Sequence, residues 1–98
     1  MEQQTFLFNL GTLYHQQKQI SSAIECYLRV IALNPHWVPA YINLGNAYQE
    51  TGALEQALEM YHQVPEHTSN ALVYNNIGAL YQKKGKQEEA THYFKKAL

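Results

Sequence analysis

A short phrase returns three times along this chain of 98 residues, and its spacing limits the fold more than any other feature. It reads Asn-Leu-Gly-Thr-Leu-Tyr at residues 9–14, Asn-Leu-Gly-Asn-Ala-Tyr at 43–48 and Asn-Ile-Gly-Ala-Leu-Tyr at 76–81. The three glycines are 34 and then 33 residues apart. A fixed period of this length is typical of proteins that stack similar structural units, none of which buries its apolar face alone. The period therefore predicts a repeat protein of three units.

Each unit carries the pattern of two amphipathic helices joined by a tight turn. In the first helix, apolar residues and the motif glycine recur at the i, i+3, i+4 and i+7 positions of one helical face. Inside a helix, glycine costs about 0.5–1 kcal/mol relative to alanine, so its recurrence indicates close packing against a ring from the second helix. The second helix supplies an alanine and then an aromatic residue: Ala23 and Tyr27, Ala57 and Tyr61, Ala90 and Phe94. We therefore expect an all-α solenoid of six helices.

These motifs resemble the tetratricopeptide repeat (TPR) family, which combines Leu-Gly-x-x-Tyr, Ala-x-x-x-aromatic and a proline between units. The resemblance covers nearly the whole chain, as units of about residues 4–37, 38–70 and 71–98. It implies a right-handed superhelix of helix-turn-helix units, with no obvious capping helix after the third. Two positions depart from the pattern. Leu7 replaces an aromatic residue, and Pro65 lies four residues earlier in register than Pro35, so we expect the preceding helix to end near Val64.

Charge and composition argue against several classes of partner and location. The chain carries seven basic and eight acidic residues, and its polar surface is rich in Gln and Asn. Nucleic-acid binding normally needs a clustered basic surface, so we expect no nucleic-acid partner. No apolar run approaches the ~20 residues of a membrane helix. The start lacks the pattern of a secretory signal, and the single cysteine, Cys26, forms no internal disulfide. We expect a cytoplasmic protein without a membrane partner.

The sequence contains no constellation of residues typical of catalysis or of a cofactor site. The five histidines are not paired at i, i+4 and have no accompanying pair of cysteines, so we expect no metal site. Cys26 has no general base at a fixed spacing, and no phosphate-binding loop is present. Seven of the eight tyrosines fall in packing positions of the repeat, and Tyr93 is the exception. We expect a non-catalytic protein that needs no cofactor.

A second, polar stripe runs along the first helix of each unit. In the TPR family this helix lines the concave face of the superhelix, which the resemblance implies here. The stripe predicts a groove that binds an extended peptide or a partner helix. The stripe also contains His15, Glu50 and Lys83, and its predicted binding residues are Asn9, Thr12, Gln16, Asn43, Asn46, Gln49, Asn75, Asn76 and Gln82.

The asparagine two residues before each motif glycine is the strongest part of this prediction. Asn9, Asn43 and Asn76 recur although asparagine is a mediocre helix former, and an amide suits the N–H and C=O groups of a peptide backbone. They also resemble asparagines in the TPR domains of protein O-linked N-acetylglucosamine transferases. The alternative interpretation is that these amides only satisfy neighbouring polar groups in a solvated groove.

Another binding mode of the family, the carboxylate clamp for acidic C-terminal tails, is not expected. The clamp needs lysine three residues before one motif glycine and six residues before the next. The first position holds Phe8, Ile42 or Asn75, and the second holds Thr5, Pro39 or Leu72. Without these cations the groove lacks the groups that pair with carboxylates.

The end of the third unit carries apolar residues that no following helix covers: Tyr93, Phe94, Ala97 and Leu98. Either the chain is a segment of a longer array, or self-association buries this end. Exposed apolar surface of this kind commonly marks an interaction site, so we expect self-association. Residues 1–70 carry two basic and six acidic residues, and residues 71–98 carry five and two. This difference is typical of a solvated, lysine-rich end, and attraction between opposite ends in a head-to-tail contact is the alternative. Three functions stay open: a peptide-binding scaffold, a self-assembly module, and a substrate-selecting segment of a larger enzyme such as a glycosyltransferase.

Overall fold

The computed structural model describes residues 2–65 and 70–98, and the regular secondary structure in these ranges is helical. The helices are α1 (Glu2–Gln16), α2 (Ile20–Leu33), α3 (Val38–Glu50), α4 (Leu54–His62), α5 (Ala71–Lys83) and α6 (Gln87–Lys96). Each helix contacts the next along the chain, and α1 also contacts α3. The result is a right-handed α-solenoid measuring 41 × 28 × 18 Å, which confirms the predicted fold class.

The motif glycine brings the two helices of each pair together. A Cβ atom placed on Gly45 would lie 2.6 Å from Cε1 of Tyr61, a buried ring. That distance is well inside the roughly 3.5–4.0 Å of an optimal carbon–carbon contact, so any side chain would displace the ring. The other two glycines make the same contact, with the nearest ring atom at 2.8 Å for Gly11 and Tyr27 and at 2.7 Å for Gly78 and Phe94.

The turn within each pair has one backbone form in all three units. Its middle residue has a positive φ, which is 65° at Lys18, 84° at Gly52 and 78° at Gly85. The residue that follows donates its N–H to the carbonyl oxygen of the motif tyrosine at 2.9 Å. This left-handed turn ends the first helix of each pair. A lysine Cβ is crowded in this conformation and a glycine avoids the crowding, so the first turn is strained relative to the other two.

Pro65 shortens the second pair. Helix α4 has nine residues against 14 in α2, and it ends at His62, two residues before the predicted position near Val64. A proline drives the residue before it out of the helical region and has no N–H to donate. Asn70 then caps α5, because its side-chain Oδ1 accepts a hydrogen bond from the N–H of Val73 at 3.1 Å.

Within residues 2–65 and 70–98, buried side chains form three clusters, each shared by consecutive units. In the first, Val30 of α2 packs with Ala40 of α3, and the ring of Phe8 stacks on Trp37 with centroids 5.7 Å apart. The second cluster joins α2 to α3 through Tyr27 and Leu44. The third joins α4 to α5 through Ala57, Tyr61, Val73, Ile77 and Leu80.

Candidate binding groove

A groove of about 430 Å³ lies where α1, α3 and α5 face one another. It is lined by His15, Asn46, Gln49, Glu50, Leu72, Asn76 and Lys83. Three of these residues, Asn46, Gln49 and Asn76, belong to the nine predicted from the polar stripe. The walls therefore come from the first helix of each pair.

Tyr61 links the outer layer of helices to this groove. Its ring packs against Gly45, and its hydroxyl group extends past the glycine to donate a hydrogen bond to Oδ1 of Asn46, with Oε1 of Gln49 at 3.1 Å. Nδ2 of Asn76 donates to the same Oδ1 of Asn46 at 3.2 Å. Burial raises the pKa of Tyr61 far above its usual value, so the hydroxyl group remains a neutral donor. The network ties α4 and α5 to α3 and fixes the orientation of the Asn46 amide.

The first pair has a related network. Oγ1 of Thr12 donates to the carbonyl oxygen of Phe8 at 3.0 Å, which uses its single proton. The hydroxyl group of Tyr27, 3.2 Å from Oγ1 of Thr12, therefore donates to that oxygen. Tyr27 in turn accepts a hydrogen bond from Nδ2 of Asn43 at 3.4 Å. In both networks, the asparagine of one unit donates to a group of the preceding unit.

The third pair lacks both the donor and the acceptor of this hydrogen bond. Phe94 stands where the other pairs have tyrosine, and Ala79 stands where they have Thr12 or Asn46. The hydroxyl donor and the residue that would accept from it are thus missing together. This joint absence indicates that the side chain after the motif glycine, Thr12 or Asn46, serves as the acceptor for the tyrosine hydroxyl group.

Two of the three repeated asparagines follow, through their Nδ2 groups, the alternative interpretation in which these amides satisfy neighbouring polar groups. The Nδ2 groups of Asn43 and Asn76 are used within the solenoid, because each satisfies a polar group of the preceding unit. Their Oδ1 atoms accept no hydrogen bond from the described residues. Asn9 is exposed and has no side-chain partner within the same ranges. The repeated position thus combines a structural donor with an available acceptor.

The other predicted groove residues lie outside the cavity. Thr12 and Asn43 are half-buried in the first network, which places their polar atoms against Tyr27. Four residues are exposed on the helix surfaces beside the groove and make no side-chain hydrogen bond to the described residues: Asn9, Gln16, Asn75 and Gln82.

Charged and apolar side chains that the list of predicted residues omitted also line the groove. Nε2 of His15 is bonded to Oε2 of Glu50, which joins α1 to α3. Lys83 makes no ion pair with the described residues, whereas its neighbour Lys84 pairs with Glu55. Leu72 is 60% exposed. His15, Glu50 and Lys83 belong to the polar stripe although they were not among the predicted binding residues, whereas nothing in the stripe singles out Leu72.

The exposed apolar surface of the solenoid is largest on α1, opposite the predicted association end. Phe6, Leu10 and Leu13 are 68%, 41% and 48% exposed. At the same distances from the motif glycine, the other two units have residues that are at most 3% exposed: Ala40, Leu44, Ala47, Val73, Ile77 and Leu80. The repeated phrase hides this difference, because the residues are apolar in every unit and only their cover changes.

At the predicted association end, Leu98 is fully exposed, and Phe94 and Ala97 are half-buried. Tyr93 corrects the sequence prediction, since it is not left outside the packing. Its ring stacks on Tyr81 with centroids 5.6 Å apart and lies 6.4 Å from the ring of Tyr74. The two rings project from α5, so Tyr93 packs inside the third pair.

In residues 2–65 and 70–98, no group of three or more His, Cys, Asp or Glu side chains could bind a metal ion, and His67 lies outside these ranges. Burial raises the pKa of Cys26, which keeps this thiol protonated. None of the helices described is long and apolar enough to cross a membrane.

Comparisons with known proteins agree with this geometry. The human Protein O-mannosyl-transferase TMTC2 is 31% identical over 99 residues, which span 94% of this chain and 12% of that protein. The mouse TMTC2 is 35% identical over 60 residues, or 57% of this chain and 7% of the relative. The chain thus spans only a small part of the curated relatives that it matches.

Solved structures match along almost the whole chain. A crystal structure of MamA has a TM-score of 0.91 and 33% identity, and the match covers 96% of this chain and 56% of MamA. The second TPR of Spaghetti (RPAP3), bound to the HSP90 peptide SRMEEVD, has a TM-score of 0.89 and 24% identity, covering 97% and 89%. The second likeness concerns the fold alone.

Two family models match the sequence itself. One, described as TPR repeat, matches residues 11–52, and the other, described as Tetratricopeptide repeat, matches residues 38–98. The second model alone covers well over half of the chain, and its range contains four of the six helices. The chain belongs to the tetratricopeptide repeat family.

Proposed function

We propose that this chain is a non-catalytic scaffold that binds an extended peptide in the groove lined by Asn46, Gln49 and Asn76. The observation that carries this proposal is that the amides of Asn46 and Asn76 each keep one hydrogen-bonding group unused. Oδ1 of Asn46 accepts hydrogen bonds from Tyr61 and Asn76, while Nδ2 of Asn46 and Oδ1 of Asn76 have no partner among the described residues. A donor on α3 thus lies beside an acceptor on α5, the pair of groups that a peptide backbone needs.

The rigidity of these amides supports binding. Because the network with Tyr61 fixes the Asn46 side chain before a ligand arrives, less conformational entropy is lost on association. The groove is also open along its length, unlike the concave pockets that enclose small molecules. The same activity would serve in a larger transferase, as the names of the TMTC2 relatives suggest, by holding a protein substrate for a catalytic site elsewhere.

An acidic C-terminal tail is not the expected ligand. The RPAP3 repeat is bound to SRMEEVD, a peptide with three acidic residues. In this chain, Leu72 occupies one lysine position of the carboxylate clamp and lines the groove. Lys83 is three turns further along α5. We therefore expect weak binding of SRMEEVD.

Replacing the two amides tests the groove. Ligands are selected from a display library of random peptides, and their affinity for the purified chain is measured by fluorescence anisotropy. We expect Asn46→Ala with Asn76→Ala to weaken binding about tenfold, since each lost hydrogen bond costs about 0.5–1.5 kcal/mol. Asn75→Ala is the matched control, because Asn75 is next to Asn76 but outside the cavity. Unchanged affinity in the double variant, with helical circular dichroism retained, would contradict the proposal.

Self-association is the second candidate function, and the exposed face of α1 favours it. Inside the chain, the corresponding faces of α3 and α5 are covered by α2 and α4. Helix α6 occupies the same place in the third pair as α2 and α4 in theirs, and its Phe94 and Ala97 are less buried than Tyr27 and Val30. A second copy could therefore place α6 on α1. Such a head-to-tail contact leaves both outer ends free and generates open chains.

Sedimentation velocity over a range of concentrations tests this association. We expect the mean mass of the wild-type chain to increase with concentration, and Leu10→Ser with Leu13→Ser to suppress the increase. Leu28→Ser is the control, because Leu28 is 45% exposed but lies on α2. A wild-type chain that stays monomeric at every concentration would rule out the second function and leave the first untouched.

A further inference from the structure

The groove has an aliphatic side chain near one end and a cation near the other, both on α5. Leu72 lies in the first turn of the helix, and Lys83 is its last residue. Both line the same cavity as the amides of Asn46 and Asn76. The apolar face of α5 points into the core with Val73, Ile77 and Leu80, so packing does not explain the exposure of Leu72.

The helix fixes the distance between these two side chains. Lys83 is eleven positions after Leu72, which at 1.5 Å per residue is about 16 Å along α5. A peptide in extended conformation advances about 3.3 Å per residue and its side chains alternate between two faces, so side chains on one face are an even number of positions apart. Four positions span about 13 Å. The long side chain of Lys83 covers the remaining distance, because a helical side chain lies over the turn before its own Cα.

The charges along the groove favour an acidic ligand group at the Lys83 end. Lys83 makes no ion pair in residues 2–65 and 70–98, so its charge is available to a ligand. Glu50 is the nearby opposite charge on the groove, and its Oε2 atom is already bonded to His15. A carboxylate on the ligand can pair with Lys83, while a cationic group would meet like charge.

From these positions we infer that the groove selects a peptide segment with a large aliphatic residue and a carboxylate residue four positions apart, on the same face of the extended peptide. The aliphatic side chain lies on Leu72, the carboxylate pairs with Lys83, and the backbone between them bonds to Asn46 and Asn76. This inference rests on the proposed function, since it specifies the ligand of the same groove. A helical ligand along α5 would need the two side chains about eleven positions apart, because its rise equals that of α5.

A set of blocked peptides tests the spacing. Each contains one Leu and one Glu separated by a variable number of Ser residues, in both orders, and competes with a fluorescent peptide selected from the display library. We expect one order to compete best when Leu and Glu are four positions apart, and a spacing of five, which puts the two side chains on opposite faces, to compete less well. Replacing Glu by Lys in the peptide with a spacing of four should abolish the advantage.

Variants of the chain identify which side chains read the two peptide residues. Lys83→Gln should weaken binding of the best peptide about two- to fivefold, the size of an exposed ion pair, and should remove the preference for Glu over Gln in the peptide. Lys86→Gln makes the same change of charge outside the groove and should have no effect. Leu72→Ser should weaken binding about five- to tenfold, as expected when a partly exposed leucine contact is lost, while Leu28→Ser should not.

The outcomes separate this inference from the proposed function. If library peptides bind and respond to Asn46→Ala but the Leu–Glu spacing and Lys83→Gln make no difference, the spacing rule is wrong and the peptide groove stands. An optimum near eleven positions would replace the extended ligand with a helical one and overturn the rule. If no peptide binds at all, the proposed function fails and the spacing rule with it.

Discussion

At the scale of single residues, the hydroxyl group of Tyr61 is the most consequential atom of the groove. It belongs to α4 in the outer layer, yet it donates to Asn46 on the inner one. Gly45 makes this possible, because any side chain at that position would meet the ring. The motif glycine therefore has a second role, because it lets the Tyr61 ring of the outer helix α4 pass close enough to fix the amide of Asn46.

The buried hydroxyl group predicts a loss of stability in alkali. Burial raises the pKa of Tyr61, so the folded state keeps a proton that the unfolded state releases above about pH 10. Below that pH both states are protonated and the contribution is intact. Above it, the free energy of unfolding falls by up to about 1.4 kcal/mol per pH unit. Tyr81, whose pKa is also raised by burial, adds to the fall.

Urea unfolding of the wild-type chain and of Tyr61→Phe, compared from about pH 9 to about pH 11, checks this prediction. The variant should be less stable at neutral pH by about 0.5–1.5 kcal/mol, the usual net value of a hydrogen bond. It should then lose less stability than the wild type as the pH rises. Parallel pH profiles for the two proteins would show that Tyr61 does not titrate differently on unfolding.

The repeated asparagines show where reasoning from sequence succeeds and where it stops at this scale. The polar stripe correctly indicates that Asn46, Gln49 and Asn76 line one groove. It cannot reveal that Tyr61 and Asn76 share one oxygen atom of Asn46, because this contact joins helices from two units. The joint occurrence of Phe94 and Ala79 is the one sign in the sequence of the tyrosine hydroxyl contact. It can be interpreted only once the packing of the ring against the motif glycine is known.

At the scale of helices and turns, Lys18 is the clearest local defect of the fold. It adopts a φ of 65° in a turn where the other units use Gly52 and Gly85. We expect Lys18→Gly to raise the free energy of unfolding by about 0.5–1 kcal/mol, because relief of the crowded Cβ exceeds the entropy gained by the unfolded chain.

Chemical unfolding measures this change, and Gly52→Ala is the reciprocal variant. Nothing lies within 4 Å of a Cβ atom placed on Gly52, so backbone conformation alone should destabilise it, by about 1 kcal/mol. A destabilised Lys18→Gly chain would show that the lysine side chain makes a contribution beyond the turn.

Most features at this scale could be read from the sequence. The alternation of the motif glycine with the aromatic residue of the second helix predicts six helices, and Pro65 predicts the early end of α4. The exposure of Phe6 and Leu10 could not be read in this way, because the repeat predicts apolar residues there in every unit. Cover depends on which helix lies on the other side, and that is a property of the assembled solenoid.

At the scale of the whole molecule, the solenoid is weakest where α4 meets α5. Because α4 is short, it approaches α5 at fewer positions than α2 approaches α3. A cavity of about 290 Å³ lies at this junction, lined in part by Val64, Tyr74 and Tyr93. In a stack where each unit contacts only its neighbours, a weak junction lets one part open without the rest.

Native-state hydrogen exchange tests this view. The amides of α5 and α6 should exchange as one group, at least about tenfold faster than the protected amides of α2 and α3, which corresponds to about 1.4 kcal/mol. Helix α3 is the reference for α5, because both are first helices of their pairs. Uniform protection from α2 to α6 would show that the short α4 does not divide the solenoid.

The tyrosine hydroxyl groups that extend past the motif glycines have a consequence for the evolution of repeat proteins. Duplication of a unit copies its groove together with the helix behind it. A later exchange of Tyr for Phe on that second helix would remove the hydroxyl group that orients a groove amide without changing any groove residue, whereas in the third pair Phe94 occurs together with Ala79. Ligand preference in an array of repeats can thus change through a substitution on the second helix of a unit, even when the groove residues of the first helix stay the same.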